Sequence, residues 1–211
     1  SYRAILAKRG FVGMQAVYDA VRVWRTITMP AATAAHLDRA RVEAVMAVES
    51  QGMPNVTSSA NCRGLMQLKD GTARQYGIAR PLQESYIPER NIPAGTRYLG
   101  ELVQRYEGDG DTALAAYNRG EAGFDRREER MQSTMGDDRS GYWHTRSYLP
   151  RETQKYVPSV LAWEYVIRYF DEHGTLPPTN GHGAIEFLAA KSGAPYGPST
   201  KFRLRSWFRD A

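Results

Sequence analysis

The sequence predicts a mainly α fold in which short helices pack round a cleft. Apolar residues recur at i, i+3, i+4 and i+7 in several segments of the 211-residue chain. Stretches rich in Gly, Pro, Asn, Ser and Thr separate those segments. No segment alternates convincingly as a strand, and there is no repeat or heptad run.

The first predicted helix covers Phe11 to Trp24, with Phe11, Met14, Val17, Tyr18, Val21 and Trp24 at helical spacing and Arg22 near its negative end. Pro30 and the small residues after it suggest a boundary. The next helix is expected from about Ala34 to Ser50. Residues 51–63 read as a loop, followed by a short helix over Gly64 to Tyr76 and an irregular stretch at 77–91. A helix from Ile92 to Tyr106 buries Tyr98, Leu99, Leu102, Val103 and Tyr106, and Gly108 ends it. Ala113 to Asn118 is a compact Ala-rich helix. Residues 121–147 look least regular; they are dense in charge and hold the cluster Tyr142-Trp143-His144. A long helix runs from Glu152 to His173, closed by Gly174. The Pro/Gly-rich tail has two candidate short helices, 184–190 and 200–208. Three parts follow: an N-terminal amphipathic helix in 1–30 packed on or flanking the body, a main domain at 31–173, and a basic extension at 174–211.

Hydrophobic residues make up 42% and charged residues 24%, a globular rather than disordered composition. No apolar run approaches the ~18 residues a spanning helix needs. No secretory leader is visible in a sequence that starts at Ser1. Cys62 is the single cysteine and the four histidines are scattered, so no metal or cofactor is expected. The net charge of +5 is uneven: residues 1–30 hold five basic residues and one acid, residues 191–211 hold five basic residues and Asp210, and the middle is acidic. Basic ends suit an anionic wall polymer or a membrane surface. No nucleic-acid module is present, so no nucleic acid is expected as a partner.

One position conflicts with its surroundings. Val42, Val45, Met46 and Glu49 share a helix face; three are apolar and point to the core, and the fourth is a carboxylate. Burying that charge is costly unless the group finds partners or stays protonated. Such surroundings raise a carboxyl pKa, as a general acid working near neutrality requires.

Three blocks carry further chemistry. The first is Glu49-Ser50, Ser58, Gly64-Leu65-Met66-Gln67-Leu68 and Thr72-Ala73. The second is Asn91, Gly95-Thr96-Arg97-Tyr98-Leu99 and Ala113-Leu114-Ala115-Ala116-Tyr117-Asn118-Arg119-Gly120. The third is Leu149-Pro150, Glu152-Thr153 and Tyr156-Val157. In this order and spacing they resemble the soluble lytic transglycosylase family, relatives of goose-type lysozyme, over roughly residues 35–170. The chain departs from the family's pattern at Asn61-Cys62 and Lys69-Asp70, and in a longer stretch between Asn118 and Glu152.

The resemblance implies a lysozyme-like helical domain with a substrate cleft that cleaves peptidoglycan strands. It implies Glu49 as the acid/base in a one-carboxylate route to a 1,6-anhydro product. It also implies substrate-binding roles. Ser58 and Gln67 would hydrogen-bond the N-acetyl group or the peptide-bearing sugar. Tyr117 would place its hydroxyl near Glu49 or the N-acetyl carbonyl. Asn118 would hold either the helix junction or the sugar, and Glu152 would be a substrate ligand or a buried brace for residues 117–118. Met66 is core or cleft lining, and Tyr142 and Trp143 a lid or simple packing.

A hydrolase of the two-carboxylate kind needs a second acid facing the first. Asp70 and Glu152 are the nearest by motif, and neither is a strong candidate. The alternatives are a muramidase that uses water, and a wall-anchoring component of a secretion machine or virion. The expected setting is the bacterial periplasm or envelope, or a phage virion or secretion apparatus; a monomer is expected.

Overall fold

The computed structural model describes residues 2–136 and 140–177. The expected short helices 184–190 and 200–208, and most of the basic extension, lie outside the described residues. Those residues hold ten α-helices and no strand. They are α1 (Tyr2–Arg22), α2 (Arg25–Ala34), α3 (Arg39–Glu49), α4 (Asp70–Gln75), α5 (Pro81–Glu84), α6 (Pro88–Arg105), α7 (Gly110–Arg119), α8 (Glu121–Met135), α9 (Tyr142–Thr145) and α10 (Arg151–His173). No described helix is long and apolar enough to cross a membrane.

α3 lies at the centre, packed on α10, α2 and α1. Its stripe of Val42, Val45 and Met46 is fully buried, as the spacing requires. The helix starts at Arg39 rather than Ala34 because Asp38 caps it, its side chain accepting the amide of Ala40 at 2.7 Å. α6 packs on α2 and α7, and α7 joins α10 to α8.

Three segments differ from the expectation. Pro30 lies inside α2 rather than at a boundary. It is exposed, as is Thr26 one turn back, so water can satisfy the carbonyl that loses its helical partner. Residues 64–67 form a turn rather than a helix, closed by the Arg63–Leu68 bridge. Gly64 has φ +79° and Gln67 φ +48°, both left-handed. Residues 121–135, expected to be irregular, form the helix α8. Its charge hid it: Phe124 and Met131, seven residues apart and so on one face, are its buried anchors.

Two ionic clusters tie the helices together. Glu43, fully buried on α3, accepts from Arg25 at 3.0 and 3.1 Å and from Arg39 at 2.5 Å. Both arginines also reach Asp171 on α10, which accepts the Tyr18 hydroxyl at 2.6 Å. Farther along, Glu164 of α10 pairs with Arg41 and Arg168.

Candidate active site

Glu49 is the last residue of α3, and Ser50 caps the helix. The Ser50 hydroxyl lies 2.9 Å from the Leu65 carbonyl and 3.1 Å from that of Met46. It thereby ties the helix end to the 63–68 turn. Glu49 is half-buried. Enough protein surrounds the carboxyl that loss of hydration pushes its pKa up to about 7. The Tyr156 hydroxyl, donating to Oε1 at 2.6 Å, pulls the pKa down, and the Glu152 charge pushes it up. The negative end of α3 also disfavours the ionised form. The result is a carboxyl able to give a proton near neutral pH and take one back.

The 63–68 turn, tied to the end of α3 by Ser50, is built by its own backbone and one asparagine. A Cβ on Gly64 would run into the carbonyl of Ser85 and the side chain of Asn91. Buried Asn91 accepts the Met66 amide at 2.7 Å and donates to the Arg63 carbonyl at 3.1 Å. Gln67 donates its amide to the carbonyls of Val56 (3.0 Å) and Gly64 (2.9 Å), which leaves Oε1 as its acceptor for a ligand. The Ser58 hydroxyl accepts the Cys62 amide at 3.1 Å. Burial raises the Cys62 thiol pKa, with a smaller push from the Glu49 charge.

Met66 is core rather than surface lining. It has no exposed surface, and a Cβ on Gly95 would lie 2.5 Å from its own Cβ. Its carbonyl accepts the Tyr117 hydroxyl at 2.8 Å. That bond takes the Tyr117 hydroxyl to the turn rather than to Glu49, and Tyr156 occupies the place beside the acid. Burial, then the Glu49 charge, raises the pKa of both phenols well above 10, so each stays a donor.

Asn118 sits at the α7–α10 junction, accepting the Thr153 hydroxyl at 2.8 Å. Thr153, not Glu152, therefore braces this segment; Glu152 is exposed. Asp70 is paired with Arg63. Tyr142 is fully buried and Trp143 donates its indole N–H to Asp111 at 2.7 Å, so this pair is packing at the far end of α7 rather than a lid. Among the described residues no group of three or more His, Cys, Asp or Glu is placed to hold a metal.

Sequence reasoning missed Tyr156, Asn91 and Thr153 as site builders, although each lies in one of the three blocks. Their signal was the motif itself, since a tyrosine on a helix reads as core until its partner is known.

The family profile of the Transglycosylase SLT domain matches residues 27–139. The chain is 31% identical over 137 residues to membrane-bound lytic murein transglycosylase D of Escherichia coli K12, covering 63% of this chain and 29% of that protein. It is 40% identical over 101 residues to a transglycosylase of Enterobacteria phage PRD1, covering 48% and 36%. Among solved structures, lytic transglycosylase Slt of Pseudomonas aeruginosa is similar with a TM-score of 0.59 at 25% identity, covering 73% of this chain and 25% of that one. The 70-kDa soluble lytic transglycosylase of Escherichia coli gives 0.57 at 27%, covering 70% and 24%. The chain thus spans 24% to 36% of the length of these relatives. By this match and its helical fold, the chain belongs to the Transglycosylase SLT domain family and has its lysozyme-like helical fold.

Proposed function

We propose that the protein is a lytic transglycosylase acting on peptidoglycan, with Glu49 as acid and then base. The observation that carries this reading is the half-buried Glu49 at the end of α3, hydrogen-bonded by Tyr156 and with its carboxyl pKa pushed up to about 7. Protonated Glu49 gives its proton to the oxygen linking N-acetylmuramic acid to N-acetylglucosamine, and the C1–O bond breaks. The glucosamine side leaves with a 4-hydroxyl. The substrate's own N-acetyl oxygen stabilises the cationic C1. The Glu49 carboxylate then takes the proton of the muramic acid C6 hydroxyl, whose oxygen bonds C1. A 1,6-anhydro ring forms and no water is consumed.

Tyr156 holds one oxygen of the acid, which leaves the other to the substrate. Ser58 and the Gln67 Oε1 serve the N-acetyl or peptide-bearing groups. Tyr117 supports the reaction by holding the turn through the Met66 carbonyl. Asn118 fixes the α7–α10 junction, and the exposed Glu152 meets a polar group of the substrate.

Exposed Glu152 also favours a second reading, in which it activates water opposite Glu49 and the enzyme is a muramidase. Mass spectrometry of digested peptidoglycan separates the two. Anhydro ends with the wild type, and none with Glu49→Gln, are expected; reducing ends would move the assignment to the hydrolase, and uncut polymer would overturn both. The relatives include a membrane-bound enzyme and a phage enzyme, which supports a site of action at the bacterial envelope or in a virion.

A further inference from the structure

Residues 1–26 precede the stretch that matches the family. The backbone that follows Glu49 nevertheless rests on them. Directly after the acid the chain reverses, with Gln51 at φ +58° and Gly52 at φ +78°. Gly52 lies flat against α1: a Cβ there would be 2.7 Å from the carbonyl carbon of Ala20 and 2.8 Å from the Val21 nitrogen. Its carbonyl accepts the indole N–H of Trp24 at 3.0 Å.

Trp24 is itself a fixed point. Its carbonyl accepts the amides of Ile27 and Thr28, each at 2.9 Å, and the Thr28 hydroxyl at 2.9 Å. The next residue, Arg25, is bonded to Glu43 on α3 and to Asp171 on α10. The α1–α2 corner therefore grips α3 six residues before Glu49 through Glu43, and grips the reversal three residues after it through Gly52. On the other side, Ser50 is held to Leu65.

We propose that Trp24 is a positioning residue for Glu49, acting through the Gly52 carbonyl to hold the end of α3 against Tyr156. The last turn of a helix lacks intrahelical partners for its carbonyls and frays unless something external holds it. A misplacement of about 1 Å at a reacting group can cost on the order of 100-fold in rate. The inference rests on the assignment of Glu49 as the acid.

The test compares Trp24→Phe, which keeps an aromatic ring and removes the donor, with Trp143→Phe, which removes an equivalent indole bond at the far end of α7. The substrate is purified dye-labelled peptidoglycan, assayed across pH. For Trp24→Phe, kcat should fall about tenfold or more with KM within about twofold, because orientation rather than binding is lost. Water reaching a loosened Glu49 should also move the alkaline limb of kcat/KM to lower pH. Trp143→Phe should leave that limb in place.

An unshifted limb with wild-type kcat in Trp24→Phe would overturn the proposal, as would equal losses and unchanged profiles in both variants. Should Trp24→Phe fail to fold, replacing Trp24 with 3-benzothienylalanine keeps the two-ring volume and removes only the N–H, and the same outcomes apply. Glu49→Gln in the same assay separates the two levels: turnover retained there sinks the acid assignment, whereas a dead Glu49→Gln beside a normal Trp24→Phe sinks only the brace.

Discussion

The Tyr156 hydroxyl donates to Glu49 Oε1 at 2.6 Å across 107 residues of sequence. It joins α10 to the end of α3, along the line where those two helices pack. Because the bond favours the carboxylate, its removal should raise the Glu49 pKa above 7. Tyr156→Phe should therefore move the alkaline limb of kcat/KM to higher pH and lower kcat about tenfold, since a hydrogen bond to a charged group contributes about 1.5–3 kcal/mol. A pH–rate profile that overlies the wild type would remove Tyr156 from the site.

Glu152 acts on the same carboxyl in the opposite sense. Its negative charge raises the Glu49 pKa. Glu152→Gln should thus move the alkaline limb to lower pH. Glu152 is exposed, so the displacement should shrink in ~0.5 M salt, where charges are screened within a few ångströms. A displacement that persists at high salt would mean that Glu152 acts by contact rather than by charge.

The raised Glu49 pKa is also a statement about stability. Below pH 4.5 the folded and unfolded states both carry a protonated carboxyl, and the site costs nothing. Between 4.5 and about 7 the unfolded chain ionises while the folded one resists, so stability falls as pH rises. Above that, the penalty is complete at about 2 kcal/mol, allowing for partial exposure. Buried Asp111, raised to about 6, adds to the same trend. Glu49→Gln should then match the wild-type Tm at pH 4 and exceed it at pH 8. A gap independent of pH would contradict the assignment.

Gly95 lets α6 approach the turn that Ser50 ties to the end of α3. Gly95→Ala places a methyl group about where the Met66 side chain stands, at 2.5 Å from its Cβ. Overpacking of this kind costs about 1–3 kcal/mol. The displaced Met66 would carry its carbonyl away from Tyr117. Urea denaturation should show the loss of stability, and the activity per folded molecule should drop with it; an unaltered denaturation midpoint would refute the tight contact.

Glu43 is fully buried between two arginines. Glu43→Gln leaves Arg25 and Arg39 sharing Asp171 alone, and breaking a buried pair costs about 3–5 kcal/mol. Asp171 is held below the usual carboxylate range: burial opposes this, but hydrogen bonds from Tyr18, Arg39 and Arg25 outweigh it. Its contribution is present above the unfolded value of 3.8 and is lost as pH falls through the folded one. Acid unfolding below pH 4 should be blunted in Asp171→Asn relative to its own stability at pH 7.

What the sequence determined by itself is local. Helical periodicity marked α3, α6 and α10, because burial on one face imposes a 3.6-residue repeat on the residues that carry it. It set Glu49 on the face of an apolar stripe, and the resemblance of the Glu49-Ser50 pair and its neighbouring blocks to the family pattern singled it out. The same rule failed on α8, which buries too little to write a stripe, and at Pro30, where solvent excuses the missing hydrogen bond.

Only the tertiary structure decided who serves the acid. Tyr117 and Tyr156 look alike in sequence, each aromatic on an apolar face. The packing of α10 on α3 gives Glu49 to Tyr156, and the placement of α7 beside the 64–68 turn gives Tyr117 the Met66 carbonyl. Likewise Thr153 rather than its neighbour Glu152 reaches Asn118, because successive helical residues point about 100° apart. A hydroxyl's partner is set by where two helices cross, and that crossing is a property of many contacts together, carried by no single stretch of the chain.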